Sequence, residues 1–291
     1  MGYSSRYHAA SLAAVFAALA IGILIGAGFG QDVVSNTSDS LKKSLEGDLR
    51  DARAEIDDLN AELDSEQRFS DQVYPALVDG RLEGERIGLI AIGGLQPGVS
   101  GDVEAALEPT GATLAAVAVV RQPPDARSLA DSLEGTRFER VDRHPEELED
   151  LGRIAGRELV TGGRLIDDTR DQLLTRFSGG SERLDGVVIV RDPPEDLDPD
   201  EQDAADALEA GLVEGIRGAS ASVVGVERSD TDPSSIEFFA SHEVPTSDSI
   251  DLVSGRVAAV FVLLGANGNF GTKDTADQLL PDLLVPATAG K

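Results

Sequence analysis

Ile87-Gly88-Leu89-Ile90-Ala91-Ile92-Gly93-Gly94 is the stretch that decides the class of fold. Six residues without a polar side chain, closed by two glycines, read as a strand buried on both faces, since a half-buried strand would alternate apolar and polar positions. A helical pattern around Asp102 to Glu108 follows, and then a second apolar run from Ala112 to Val120. Strand, glycine turn, helix and strand make a βαβ unit, which calls for a parallel sheet covered on both faces. Gly186 to Val190 and Ser220 to Glu227 repeat the buried-strand pattern downstream. Between those two, Asp198-Pro199-Asp200-Glu201 is a helix entry: an N-cap carboxylate, Pro at the first position and an acid three residues past the cap. Ala205, Leu208, Leu212 and Ile216 then give that helix its sheet-facing stripe.

Pro123-Pro124 opens a more polar region that ends near Gly180. Pro145 with Glu146 and Glu147 marks a helix start there, with Leu148, Leu151, Ala155 and Leu159 as its stripe. After the Gly162-Gly163 break, Leu165, Ile166, Leu173, Leu174 and Phe177 form a second stripe, so the spacing predicts an inserted helical pair. Towards the C-terminus the pattern predicts a short helix from Ser234 to His242 and a short strand around Val244 to Ser247. A helix from about Ser249 to Leu264, ended by Gly265, and a short one before Pro281 complete it. Residues 85–291 are therefore expected to form a doubly wound, mostly parallel, Rossmann-like α/β domain with a helical insertion around 123–180.

Upstream the chain changes character. Val73 to Glu85, with Pro75, Gly80 and Gly84, reads as a hinge. Before it, Leu45, Leu49, Ala52, Ile56, Leu59 and Leu63 recur in alternating steps of four and three, flanked by Asp, Glu and Arg. That is the a/d seam of a coiled coil, and it assigns residues 31–74 to a stalk; a single amphipathic helix lying on its own domain is the competing reading. Further back, an uncharged run from Ala9 to Gly30 matches the roughly 30 Å hydrocarbon core of a bilayer. Arg6 and His8 flank its start and Asp32 its end, with no further basic residue until Lys42, so residues 1–30 read as a cytoplasmic stub and one membrane anchor. A cleaved signal peptide is the alternative, but the run is long for one and Ala27-Gly28-Phe29-Gly30 is a poor cleavage site. Gly22, Gly26 and Gly30 recur every four residues, a face on which two membrane helices approach closely. Together with the seam they point to a parallel homodimer.

The 291 residues carry 53 acids and 25 bases, a formal charge of -28. Such an acidic surface repels phosphate, which argues against nucleic acid as a partner. With 41% hydrophobic residues the chain is folded rather than disordered, but aromatics are only 4%, so Val, Leu, Ile and Ala must build the core. There is no Cys, one Met and three His, which leaves thiolate chemistry without material and soft-metal or zinc sites almost without ligands. The glycine turn from Gly93 to Gly101 matches neither the dinucleotide fingerprint nor the P-loop, so no nucleotide and no other cofactor is expected. The eight carboxylates from Asp192 to Asp206 lack calcium-loop spacing and read as a solvated helix cap. His144 and His242 have no partner histidine at helical spacing, and there is no nucleophile elbow for a hydrolase. Enzymatic activity of hydrolase or transferase type is thus the weakest expectation. Ligands of doubly wound sheets lie beyond the carboxyl ends of the strands. The candidate cleft is therefore Gly93, Gly94, Asp192, Glu227, Asp248 and Asp251, with Arg191 and Arg228 beside it.

Two stretches together carry a resemblance. Arg6-Tyr7-His8 with Ser11-Leu12-Ala13-Ala14-Val15-Phe16, the Gly22/Gly26 ending and the following heptads are similar to the start of the mycobacterial copper transport protein B (MctB) family. Thr246-Ser247-Asp248-Ser249-Ile250-Asp251, Gly255-Arg256-Val257-Ala258, Gly268-Asn269-Phe270-Gly271 and Ala276-Asp277-Gln278-Leu279-Leu280-Pro281 resemble its closing segment. The resemblance implies a cell-envelope protein with a role in copper transport or homeostasis, copper being its only implied metal, and a proposed outer-membrane channel. Read from the residues, the chain carries one span and none of the repeated ten-residue alternation of a membrane barrel. That describes an inner-membrane anchor holding an extracytoplasmic domain. A non-enzymatic dimeric scaffold that binds an envelope partner, without direct copper chemistry, is the other expectation.

Overall fold

No proline interrupts the chain before residue 75. α1 accordingly extends over Ser5–Val78, with Pro75 its one internal proline. The computed structural model describes the backbone of residues 5–180 and 182–282, and the side chains of residues 8–27, 42–180 and 182–282. Packing divides the chain into two units, Met1–Gln67 and Arg68–Lys291. In the first, His8–Ala27 has a mean hydropathy of 2.4 and is long and apolar enough to cross a membrane. Leu45, Leu49, Ala52, Ile56, Leu59 and Leu63 are all exposed on this helix. Gly22 and Gly26 lie in the described part of the anchor, whereas Gly30 and Asp32 lie outside the residues whose side chains are described.

The second unit begins with the last turns of α1. The hinge expected from Val73 is instead helical to Val78 and then a tight series of turns to Gly84. Tyr74, Val78 and Leu82 are buried there, and the Tyr74 hydroxyl donates to the Ala106 carbonyl at 2.6 Å. Their burial offsets the hydrogen bond that Pro75 removes.

The sheet follows from the apolar runs. β1 (Arg86–Gly93), β2 (Thr113–Val120), β4 (Gly186–Asp192) and β5 (Ser222–Val226) are its parallel centre. β6 (Thr246–Ser247) and β7 (Asn269–Phe270) extend it in parallel, and β3 (Leu174–Gly179) closes the other edge antiparallel to β2. The seven strands lie in the order β3-β2-β1-β4-β5-β6-β7. Side chains alternate along each strand, so each face gets its own core. Ile90, Ile92, Val187 and Ile189 point to one face, covered by α3 (Ala126–Ser132), α4 (Leu148–Thr161), α5 (Arg164–Leu173), α6 (Pro199–Arg217) and α7 (Ile236–Ser241). Ile87, Leu89, Ala91, Val188 and Val190 point to the other, where the end of α1, α2 (Val99–Leu107) and α8 (Val253–Leu263) pack.

Local sequence shapes the domain at several further points. Asp198 and Glu201 form the reciprocal capping box that the α6 entry suggested. α4 and α6 cross on glycines from both sides: a methyl on Gly156 would collide with the Leu212 carbonyl, and one on Gly215 with that of Arg153. The inserted region departs from a helical pair. Leu174 and Phe177 sit on the edge strand β3, because Leu173 ends α5 and the chain turns extended at Leu174. Likewise no helix precedes Pro281. Residues 271–282 run as turns with one bridge, Phe270 to Gln278, in which the Gly271 N–H donates to the Gln278 carbonyl.

Candidate functional site

Parallel strands deliver their last residues to one end of the sheet, and five of the six candidate cleft residues are the last strand residue or the first beyond it. β1 and β4 end in register, Gly93 opposite Asp192. Helical connections leave this end in opposite directions along the sheet from these two strands, which opens a crevice between them. Gly93 has φ 87, and a Cβ there would meet the Asp192 backbone, so only glycine lets the chain bend over β4 here. The Gly94 N–H donates to the Asp192 carbonyl at 2.7 Å, and Gln96 Nε2 donates to Asp192 Oδ1 at 3.3 Å. Gly94, Gln96, Asp192, Glu227, Arg228 and Thr231 ring a cleft with room for little more than one water molecule.

The remaining carboxylates at this end are fully engaged in holding loops. Glu227, just past β5 and buried, accepts from Ser234 Oγ at 2.8 Å, the Ser235 N–H at 2.6 Å and Lys273 Nζ at 2.6 Å. Lys273 Nζ also donates to the Thr231 carbonyl at 2.7 Å. Asp248, just past β6 and also buried, accepts from Ser249 Oγ at 2.6 Å and from the Thr272 and Lys273 N–H groups at 2.8 Å each. Gly271 passes so close that a Cβ would strike the Asp248 carboxylate. Lys273 therefore ties two strand ends together, its backbone held by Asp248 and its ammonium by Glu227. Asp251 accepts from the Ser229 N–H and Oγ, both at 2.7 Å. Partial burial pushes the Asp251 pKa up, but the two Ser229 hydrogen bonds and the Arg228 charge outweigh it and hold the carboxyl below its ordinary value.

Charge around the rim is paired in the same way. Arg228 bonds Asp102 at the first turn of α2 and Asp230 at 3.3 Å, while Arg256 approaches Asp102 at 3.8 Å. Burial works against the Arg228 charge, yet Asp102, Asp251 and Asp230 together raise its pKa. On the other face of the sheet Arg191 makes a two-pronged bond to the buried Glu209, at 2.5 and 3.2 Å, and stacks over Phe238. Burial raises the Glu209 pKa, and the Arg191 contact opposes that. Among the described residues no group of three or more His, Asp or Glu side chains is arranged to hold a metal ion.

The structure thus gathers Gly94, Asp192 and Glu227 around one cleft, with Gly93 bending the chain over Asp192 beside it, Asp248 joined to it through Lys273 and Asp251 through Ser229 and Arg228. Sequence reasoning missed Lys273, Gln96, Ser234 and Ser235. A signal existed for the first: Lys273 is the one lysine between Lys43 and Lys291 in a chain that otherwise uses arginine.

Comparison with known proteins gives one family and a set of relatives. Residues 3–281 match the family described as "Copper transport outer membrane protein, MctB". Proteins named "Copper transporter MctB" from Mycobacterium bovis (strain ATCC BAA-935 / AF2122/97) and Mycobacterium tuberculosis (strain ATCC 25618 / H37Rv) are each 36% identical over 84 residues. Those residues are 29% of this chain and 27% of either relative, so the aligned part spans about a quarter of the curated proteins' length.

Proposed function

The chain belongs to the MctB family, and from that premise we propose that it is a membrane-anchored envelope protein with a role in copper homeostasis, acting through protein contacts rather than by holding the ion. One observation carries this reading. The family match runs from residue 3 to residue 281 and so takes in both the apolar helix and the α/β domain as one arrangement. The relatives that share part of this sequence are named copper transporters.

Charge flanking the His8–Ala27 span supports an N-terminus in the cytoplasm and an α/β domain outside it, with the anchor in the inner membrane, since outer-membrane spans are barrels. The exposed seam from Leu45 to Leu63 supports a coiled-coil stalk that joins two copies. The strand order and the helices on both faces support a Rossmann-like domain that offers an envelope partner a rigid, acidic surface, with no reaction of its own. Copper enters as cargo of the pathway. Cu(I) favours Cys and Met and Cu(II) favours His, and the chain has no Cys, one Met and three His. The strand-end carboxylates Glu227, Asp248 and Asp251 are already engaged by their own loops.

Growth of a deletion strain across a copper series tests the role. Copper sensitivity rescued by the full chain is expected, and growth identical to the parent at every copper concentration would refute it.

A further inference from the structure

The stalk face specifies its occupant through its flanking charges. Leu49, Ile56 and Leu63 take the a positions of the heptads, and Leu45, Ala52 and Leu59 the d positions. Ile at a central a position with Leu at the neighbouring d favours two strands over three or four. The g positions beside this seam are Asp48, Glu55 and Glu62, and the following e positions are Arg53, Asn60 and Gln67. All six are exposed on α1. In a parallel, in-register pair each g residue meets the e residue five positions on in the other helix. Asp48 then faces Arg53, Glu55 faces Asn60 and Glu62 faces Gln67: one opposite-charge contact and two acid–amide contacts, each occurring twice, with no like charges opposed among these six. Lys42 and Glu66, which fall at a and d positions and would meet their own copies, bound the apolar seam at its two ends. An antiparallel pair sets g against g, and all three g residues are acids. We propose that the seam from Leu45 to Leu63 binds a second copy of this chain in parallel and in register, and that the Asp48–Arg53 contact sets orientation and register.

This rests on the proposed stalk and adds a consequence for the anchor. Gly26 and Leu45 are 19 positions apart on one continuous helix. At about 100° per residue, Gly26 lies roughly 100° around the helix from the seam. The glycine face therefore turns out of the interface that the stalk forms, and the anchor helices of a pair meet through other residues.

The absence of native cysteine makes the test direct. Full-length chain in detergent micelles, carrying Leu45→Cys or Leu59→Cys, is expected to form a covalent dimer on mild oxidation, because equivalent d residues face each other only in a parallel, in-register pair. Asp58→Cys, on the outer side of the helix, and Gly26→Cys are expected to stay monomeric. Arg53→Glu should weaken self-association about tenfold, and Asp48→Arg combined with Arg53→Glu should restore it. Differently tagged Asp48→Arg and Arg53→Glu chains should pair with each other in preference to themselves. Equal cross-linking at Asp58→Cys, cross-linking at neither seam position, or random mixing of the charge variants would overturn the proposal. None of these results bears on copper-dependent growth, so the failure of this inference is distinguishable from failure of the proposed role.

Discussion

The 42–67 stretch of α1 and the carboxyl end of the sheet are both rich in acids, yet they treat them in opposite ways. Along residues 42–67 the acids are exposed beside an apolar seam that is itself exposed among the described residues. At the sheet end the acids are drawn inside and each is met by a serine, a backbone N–H or a cation: Glu227 by Ser234, Ser235 and Lys273, Asp248 by Ser249 and the 272–273 backbone. A buried carboxylate is tolerable only with such partners, whereas an exposed one serves to select and repel. The difference leaves the acids of 42–67 exposed to solvent and uses those of the sheet end to hold loops in place.

The contrast can be broken at either side. The largest effect is expected from Leu49→Asp with Ile56→Asp, which puts four charges into the seam of a pair. Light scattering of the full chain should fall to the monomer mass while the melting temperature of the α/β domain stays unchanged; an unchanged mass contradicts a stalk dimer. Lys273→Met removes the cation from buried Glu227 and is expected to cost the domain about 3 kcal/mol, read by chemical denaturation, with the oligomer mass unaffected. Tyr74→Phe deletes the bond to Ala106 and should cost about 1 kcal/mol; no change would mean that this bond adds nothing net to the packing of the end of α1. The smallest effect sharpens the comparison by pH. Asp251 has a folded pKa below its unfolded one, so its contribution is present above the unfolded value and is lost as pH falls through the folded one. Asp251→Asn should therefore flatten the acid limb of a stability-against-pH curve, and an unchanged limb would mean that the Ser229 contacts contribute nothing to it.

What was legible in the sequence tracks the range of the forces involved. The apolar N-terminal helix, the buried strands β1 and β4 and the α6 cap are set by neighbours a few residues apart, and each appears close to where its pattern placed it. β3 was hidden because Leu173, Leu174 and Phe177 continue a helical spacing, while what makes 174–179 a strand is pairing with β2, some 60 residues earlier. β7 is two residues long and exists only through β6. The turn residues Pro75, Gly80 and Gly84 suggested a hinge because the partner of Tyr74 lies 32 residues further on. The glycines of α4 and α6 signal nothing singly and matter only where the two helices cross. At the candidate site the strand-end rule located the carboxylates, but their partners lie up to 96 residues away and no local pattern announces them.

The most direct measurement is an anaerobic Cu(I) titration, with a parallel Cu(II) titration, of the full chain in detergent. If the sheet end is closed on itself and the chain works through contacts, neither ion should bind stoichiometrically at micromolar concentration. Saturable one-to-one binding that Asp192→Asn or Glu227→Gln abolishes would contradict this and make the strand ends a metal site.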